Sequence, residues 1–254
     1  MTAYEAVAIL LAGLAAGTIN TVVGSGTLIT FPTLLAFGVP PVTANVSNTI
    51  GLVPGSVSGA VGYRRELAGQ RPRVLRLALG SLIGGLAGAV LLLVLPAGAF
   101  AAIVPALILL GLVLVVFQPR IAAWVASRHD AAGGLPEHGA WWVWPAVLLT
   151  GVYGGYFGAA QGVLLMAVLG IGVDDSLQRL NAVKNVLAGL VNLVAAIVFV
   201  FATHVAWGAA ICIAVGSTLG GHFGGTYGRR LSPNLLRGFI VVVGTIAAVR
   251  LIVT

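Results

Sequence analysis

The chain alternates long apolar segments with short polar turns. Eight apolar segments can be traced, and proline, glycine or charged residues separate them. Six segments are close to the roughly 20 residues that one helical span of a bilayer needs. These six cover residues 43–62, 74–95, 98–117, 177–202, 206–228 and 233–253. The pattern therefore predicts an all-α protein with helices long enough to cross a membrane.

The two remaining segments, 5–37 and 141–172, are too long for a single span. Glycine and polar residues interrupt both of them midway, at 17–26 and at 154–162. Each segment is compatible with one tilted, kinked helix. Each is equally compatible with two half-helices folded into a re-entrant hairpin that enters and leaves on one side. The hydrophobic pattern alone does not choose between these two structures.

A glycine pattern occurs twice, with positive charge on opposite ends of its two copies. The spacing Gly-Ser-x-x-Gly-Gly-x-x-Gly lies at 80–88 and again at 216–224, which is 136 positions later, and the same offset carries Asn45 onto Asn181. Five arginines precede the first copy and three follow the second: Arg64, Arg65, Arg71, Arg73, Arg76, Arg229, Arg230 and Arg237. Because short cytoplasmic loops collect Lys and Arg, the two helices should run in opposite directions. We predict two inverted repeats, an organisation common in secondary transporters.

Charge also favours hairpins over kinked spans. With hairpins, every arginine of the two clusters falls inside together with Arg120, Arg128 and Arg179, and only Arg250 lacks an inside place. Both termini are then expected outside. Each repeat becomes a broken or re-entrant hairpin plus three transmembrane helices. The predicted organisation is a first repeat at 1–118, a cytoplasmic linker at 119–139 and a second repeat at 140–254.

Composition supports a polytopic membrane protein. Charged residues make up 7% of the chain and hydrophobic residues 59%, with a mean hydropathy of +1.08. The net charge of +7 is assigned to loops that meet lipid headgroups, so we expect a lipid bilayer and no nucleic acid as partner. The metalloprotease, nucleophile-elbow and Walker motifs are missing, and Cys212 is the only cysteine. We therefore predict no enzyme, no cofactor and no metal site.

The interruptions of the two long segments are the candidate binding site. Broken backbone is costly in lipid, so these residues should face protein or a cavity. New helical runs begin there, and a helix N-terminus offers free N–H groups and partial positive charge. Two such termini meeting at the midplane would bind an anion, although close helix packing is an alternative explanation of the glycines. The predicted binding residues are Asn20, Thr21, Gly24, Ser25, Gly26, Gly158, Gln161 and Gly162.

The helices that follow the hairpins add polar side chains. Asn45 and Asn48 in the first half, and Asn181, Lys184 and Asn185 in the second, are spaced by three or four, so each set points one way from its helix. These side chains either bond a ligand oxyanion or satisfy the carbonyl groups of the broken hairpins, and both interpretations stay open. All five are included in the predicted binding site.

Three other polar positions carry expectations of their own. Lys184 is the only lysine, and its side chain either faces a cavity or partner or snorkels to the cytoplasmic surface. His222 is expected to be a buried neutral histidine rather than a proton relay. The pair Asp174–Asp175 is expected to cap the helix that follows it.

The first-half pattern resembles a known family. The residues that carry the likeness are Gly13-x-x-x-Gly17-x-x-Asn20-Thr21-x-x-Gly24-Ser25-Gly26, then Pro32, then Ala44-Asn45-x-x-Asn48-Thr49. They resemble the sulfite exporter TauE/SafE family of bacterial membrane permeases, and the likeness covers nearly the whole chain. Many members have a second glycine where this chain has Thr27.

The resemblance implies a function. It implies transport of a small anionic substrate, a sulfite, sulfonate or related sulfur oxyanion, across the bacterial cytoplasmic (inner) membrane. The expected mechanism is secondary transport by alternating access. A passive anion channel and a non-transporting scaffold or sensor subunit are the alternatives, and the oligomeric state, a homo-oligomer included, is left open.

Overall fold

A computed structural model describes residues 1–129, 139–228 and 232–253, and helices are the only regular secondary structure in these ranges. The helices are α1 (Ala3–Val22), α2 (Thr27–Ala36), α3 (Pro41–Gly62), α4 (Arg71–Val94), α5 (Ala97–His129), α6 (Val143–Tyr156), α7 (Gln161–Gly172), α8 (Leu177–Ala202), α9 (Trp207–Tyr227) and α10 (Pro233–Val253). Among them α1, α4, α8 and the 97–121 part of α5 are long and apolar enough to cross a membrane. The predicted all-α, polytopic class is confirmed.

Both long segments fold back on themselves. The ring of Tyr4 lies edge-on to the ring of Phe37, with centroids 6.2 Å apart, so the two ends of the first segment are neighbours. In the second segment the Ala140 N–H donates to the Gly172 carbonyl over 2.8 Å. Each segment is therefore a hairpin, α1–α2 or α6–α7, with a short break at its tip, and neither is a single kinked helix.

The two hairpins enter the bundle from opposite ends and meet at their tips. The tips are joined by a hydrogen bond of 3.0 Å from the Gly162 N–H to the Gly24 carbonyl. The first hairpin opens beside α9, where Met1 lies against Gly208. The second opens beside α4, because Asp175, just beyond α7, pairs with Arg73. An inverted repeat requires this opposed arrangement, while the inversion across a bilayer and the division at residues 118 and 140 stay predictions.

The glycine helices hold each hairpin against the opposite half. A Cβ atom on Gly84 of α4 would lie 2.2 Å from the Leu148 carbonyl oxygen of α6, and one on Gly220 of α9 would lie 2.0 Å from the Leu14 carbonyl oxygen of α1. Any larger residue would force these helices apart, so the glycines serve close packing. The other sides of α4 and α9 expose large apolar residues, as expected of surfaces that contact lipid.

Helix α5 is longer than the predicted 98–117. It continues to His129, so residues 118–129 are helical although most of them belong to the predicted linker. After Pro119 this stretch contains no glycine and is rich in alanine, which favours helix. The rest of the predicted linker up to residue 138, together with Arg229 and Arg230, lies outside the described residues.

Two expectations about polar residues are wrong. His222 is exposed, because Gly221 and Gly224 occupy the side of α9 that packs inward. The Asp174–Asp175 pair does not cap α8: the Ser176 hydroxyl accepts the Arg179 N–H over 3.5 Å and is the cap. Asp175 instead forms ion pairs with two arginines.

Candidate functional site

Three donors from α8 converge on the carbonyl groups at the end of α1. The Lys184 Nζ donates to the Asn20 and Thr21 carbonyl oxygens, at 3.0 and 3.1 Å. The Nδ2 atoms of Asn181 and Asn185 donate to the same Thr21 oxygen, at 3.3 and 3.2 Å. These carbonyls lie in the last turn of α1, where no following turn can bond them. We call Asn181, Lys184 and Asn185 the α8 clamp, and its side chains satisfy the broken hairpin.

Lys184 is fully buried, with 0% of its surface exposed, so its side chain does not snorkel to a surface. In the described residues it forms no ion pair with a carboxylate. Its head group lies instead at the C-terminus of α1, where helix carbonyls favour positive charge. A buried amine without an anionic partner is unusual in a membrane helix, which makes Lys184 a candidate functional residue.

At the second break, one side chain of the opposite half bonds the carbonyl groups, compared with three at the first break. The Asn45 Nδ2 crosses from α3 and donates to the Tyr156 carbonyl oxygen at the end of α6, over 2.9 Å. Asn48, which the repeat aligns with Lys184, does not cross. It accepts from the Thr30 hydroxyl and donates to the Thr27 hydroxyl over 3.3 Å, within its own half. Thr27 therefore uses its hydroxyl to hold α2 against α3.

Unused donors collect where α2 and α7 begin. In the described part of the chain, the backbone N–H groups of Ser25, Gly26 and Thr27 donate no hydrogen bond. The Ser25 hydroxyl and the Gln161 Nε2 are also buried without a partner. Buried polar groups normally find partners, so unpaired ones need an explanation. Here they belong to residues next to the Gly24–Gly162 contact between the two hairpin tips, and an anion bound there would satisfy them.

The backbone favours glycine at several positions of the tips. Gly24 and Gly158 have φ angles of 91° and 76°, in the left-handed region that disfavours side chains. A Cβ atom on Gly162 would lie 2.4 Å from the Gly24 Cα, so the tips touch through main chain alone. One on Gly26 would lie 2.4 Å from the Ala16 carbonyl oxygen. The glycines thus place the free N–H groups at the contact between the tips.

A groove lies beside Asn185 of the α8 clamp. It runs between α3 and α8, has a volume of about 330 Å³, and is lined mainly by apolar residues. Asn185 and Ser56 lie in its wall, and Arg64 lies at its rim. At the opposite end of α3 the Ala206 N–H donates to the Ser47 hydroxyl over 2.9 Å, which ties the two halves together there. A groove therefore lies between the halves on the Arg64 side of the α8 clamp, and a direct hydrogen bond joins the halves near Ser47.

An ion cluster joins α4 to α8 at the Arg64 end of the bundle. Asp175 pairs with the Arg73 Nη1 at 2.6 Å and with the Arg179 Nε at 2.8 Å. Burial raises the pKa of the Asp175 carboxyl, but hydrogen bonds from both arginines lower the pKa by more, so it lies below its usual range. The cluster is a fixed contact between the two halves rather than a part of the site.

Some residues at the site were missed by sequence reasoning. Tyr156 has a buried hydroxyl without a partner, and the Tyr153 hydroxyl donates to the Ala159 carbonyl over 2.5 Å. Both tyrosines flank the glycine pair at the end of α6, and this position was the available signal. Thr27 and Thr30 were missed because their partner, Asn48, lies 21 and 18 residues further along the chain.

Comparisons with known proteins agree with this architecture. The profile of the sulfite exporter TauE/SafE family matches residues 9–251. The probable membrane transporter protein YfcA of Escherichia coli (strain K12) is 25% identical over 238 residues, covering 93% of this chain and 86% of that protein. The probable membrane transporter protein ORF9 of Sinorhizobium sp is 28% identical over 247 residues, covering 93% and 88%. No solved structure matches the chain. The chain belongs to the sulfite exporter TauE/SafE family and is a multi-pass membrane transporter.

Proposed function

We propose that this protein is a secondary transporter that moves a small sulfur-containing anion, a sulfite, sulfonate or related oxyanion, across the bacterial inner membrane. The observation that carries the proposal is the set of unused donors at the hairpin tips: the N–H groups of 25–27, the Ser25 hydroxyl and the Gln161 amide. Charge-assisted hydrogen bonds from fixed donors are among the stronger polar interactions in proteins. The N-terminus of each helix adds a partial positive charge that comes from the backbone and needs no charged side chain.

The shape of such an anion suits these donors. A sulfite or sulfonate group carries three oxygens on one sulfur and accepts hydrogen bonds from several directions at once. The two hairpin tips supply donors from two sides, since α2 and α7 belong to opposite halves. Lys184 lies close by: its Nζ is bonded to Asn20, and Asn20 packs beside Gly26. Asn20, Gly158 and the α8 clamp then shape the site and set its charge.

Alternating access fits the asymmetry between the two ends of the α3–α8 interface. The groove lies on the Arg64 side of the α8 clamp, whereas the Ser47–Ala206 hydrogen bond joins the halves at the other end. Arginine-rich loops belong on the cytoplasmic side, so the groove is assigned to the cytoplasmic side of the site. Rocking of the two halves about the hairpin tips would break the Ser47–Ala206 hydrogen bond and close the groove, as in other inverted-repeat carriers.

Counterflow in proteoliposomes tests the transport mechanism. Vesicles loaded with unlabelled sulfite should take up labelled sulfite transiently against its gradient, because a carrier exchanges substrate across the membrane. Uptake without stimulation by internal sulfite would identify a passive channel. Absence of any sulfite or sulfonate flux would favour a scaffold or sensor subunit and end the proposal.

Thiol labelling tests the inverted topology. In a Cys212→Ser background, Arg65→Cys and Ser232→Cys should react with a membrane-impermeant reagent only from the cytoplasmic side. Gly38→Cys, in the turn at the other end of the bundle, should react only from outside. If positions 65 and 232 were labelled from opposite sides, the inversion would be wrong.

A further inference from the structure

We propose that Lys184 carries one proton with each anion: its side chain is a neutral amine in the empty site and becomes an ammonium when an anion binds. This inference rests on the proposed function and adds the coupled ion. The proton comes from water on the side where the anion enters, binds the Nζ lone pair, and leaves with the anion on the other side. A monovalent anion and its proton then cross together without net charge.

The hydrogen bonds of Lys184 fit a neutral amine. A neutral amine has two N–H groups, whereas an ammonium has three. The Nζ atom has two acceptors in the described residues, the Asn20 and Thr21 carbonyl oxygens, and none of its side chain is exposed. An ammonium in the empty site would therefore bury one N–H without a partner in addition to its charge. The Thr21 carbonyl accepts from Lys184 and from two asparagines, so it cannot take a third N–H of an ammonium as well.

Within the described ranges, the elements around α8 supply no carboxylate to Lys184. Helices α1, α3, α4, α6 and α7 pack against α8. Their titratable or charged side chains, together with those at the start of α8, are Tyr4, Glu5, Arg71, Arg73, Arg76, Tyr153, Tyr156, Asp174, Asp175 and Arg179. Of these carboxylates, Glu5 receives the Thr2 N–H at the far end of α1, Asp174 is exposed, and Asp175 pairs with arginines. Glu66, in the loop between α3 and α4 that also packs against α8, forms no ion pair with Lys184 in the described residues. The counter-charge of an ammonium must therefore come from the substrate.

The energetics link the two bound species. An ammonium buried without a counter-ion costs several kcal/mol, so the empty site favours the neutral form. The carbonyl groups at the C-terminus of α1 offset part of that cost. An anion bound nearby can then make the ammonium the favoured form. The free N–H groups of the first tip lie next to Asn20, the residue whose carbonyl accepts from Lys184. Anion binding then favours protonation, and protonation must favour anion binding by the same factor.

Proton uptake on binding can be counted directly. Methanesulfonate is the probe, because it stays ionised near neutral pH and any proton taken up must go to the protein. Calorimetric titration of the purified protein at pH 8, in buffers with different ionisation heats, should give about one proton per bound anion. Lys184→Arg should give a count near zero, since arginine stays charged at this pH. A count near zero in the parent protein, or an unchanged count in Lys184→Arg, would overturn the proposal.

A pH gradient gives a second readout in proteoliposomes. The parent protein should accumulate methanesulfonate above its external concentration when the interior is alkaline. Whatever their rates, Lys184→Arg and Lys184→Gln should show no accumulation driven by the gradient. Lys184→Gln is included because arginine is larger than the fully buried lysine, and size-exclusion profiles check the folding of both. His222→Gln is the matched control, because this exposed residue on α9 should leave the coupling intact.

The outcomes separate this inference from the proposed function. Exchange of labelled methanesulfonate without gradient-driven accumulation in the parent protein would reject proton coupling and leave the transporter proposal standing. If accumulation persisted in either Lys184 variant, a group other than Lys184 would carry the proton, and the inference would be rejected. Failure of the parent protein to exchange both sulfite and methanesulfonate would reject the proposed function itself.

Discussion

The break between α1 and α2 and the break between α6 and α7 are supported in different ways by the opposite half. At the first break, three side chains of α8 bond the carbonyls of Asn20 and Thr21. At the second, Asn45 alone bonds the carbonyl of Tyr156. Asn45 and Asn181 occupy equivalent positions in the two repeats, and each donates to a carbonyl oxygen of the hairpin in the opposite half. The difference arises one helical turn later, where one half has Asn48 and the other has Lys184.

This comparison separates what the repeat shares from what it does not. Backbone conformation, glycine contacts and one crossing asparagine recur in both halves, and they build the hairpins. The second half has the buried Lys184 amine, whereas the aligned Asn48 of the first half forms its hydrogen bonds with Thr27 and Thr30. The repeat therefore accounts for the architecture, whereas the ionisable Lys184 amine lies on one side of the site.

The largest expected effect comes from filling the contact between the tips. Gly24 and Gly158 both have positive φ, which alone costs a residue with a side chain about 1–2 kcal/mol. A Cβ on Gly24 would in addition lie 2.5 Å from the Gly162 Cα, whereas one on Gly158 meets only the Gly154 carbonyl oxygen at 3.0 Å. Gly24→Ala should therefore lower the midpoint of thermal unfolding in detergent more than Gly158→Ala. Equal shifts would mean that the tips do not touch as described.

A second prediction concerns the aligned pair Lys184 and Asn48. Lys184→Gln removes the side chain that would become positive beside the tips when an anion binds, and hydrogen bonds to charged groups contribute about 1.5–3 kcal/mol, so anion affinity should fall by roughly tenfold or more. Asn48→Ala removes contacts to Thr27 and Thr30 within one half, so its larger effect should fall on the free energy of unfolding. The concentration dependence of labelled sulfite exchange measures the first effect and thermal unfolding the second. The reverse ranking would contradict the assigned asymmetry.

Sequence reasoning could predict the hairpins and the packing faces because both depend on local pattern. Glycine and polar residues in the middle of a long apolar segment indicate broken helices, and glycines at spacings of three and four indicate a contact face. The partners of the polar side chains could not be predicted in this way. Whether Lys184 reaches Asn20 depends on a contact across 164 positions, which no spacing rule encodes. For the same reason the sequence left open whether α8 bonds a ligand or the hairpin carbonyls.

The errors have equally specific causes. His222 was expected to be buried because it lies midway along an apolar segment, but the glycines of α9 turn the opposite face inward. Helix α5 was ended early because its apolar segment stops at residue 117, yet the alanine-rich stretch that follows continues the helix. In both cases the apolar pattern alone was followed, although neighbouring residues decide the structure.

A third prediction tests the unpaired Ser25 hydroxyl against a paired one. Ser25 and Ser217 are both buried, but Ser217 donates to the Gly51 carbonyl over 2.8 Å, whereas Ser25 has no partner. Ser25→Ala should weaken anion binding roughly tenfold and change the stability of the empty protein by less than about 0.5 kcal/mol. Ser217→Ala should cost about 1 kcal/mol of stability and leave anion affinity unchanged. Normal affinity in Ser25→Ala would remove this hydroxyl from the site.

The smallest expected effect lies outside the site, in the ion cluster that joins α4 to α8. The folded-state pKa of Asp175 is lowered, so its ion pairs stabilise the protein above the unfolded pKa near 3.9, and this stabilisation is lost as pH falls through the folded value. Asp175→Asn should therefore lower the free energy of unfolding by about 1–2 kcal/mol at pH 7, between the values for exposed and buried pairs. The difference from the parent protein should stay constant down to about pH 5 and shrink below pH 4. Asp174→Asn is the neighbouring control, and because Asp174 is exposed its effect should be smaller. A pH-independent loss in Asp175→Asn would show that packing, rather than charge, holds the two halves together at this end.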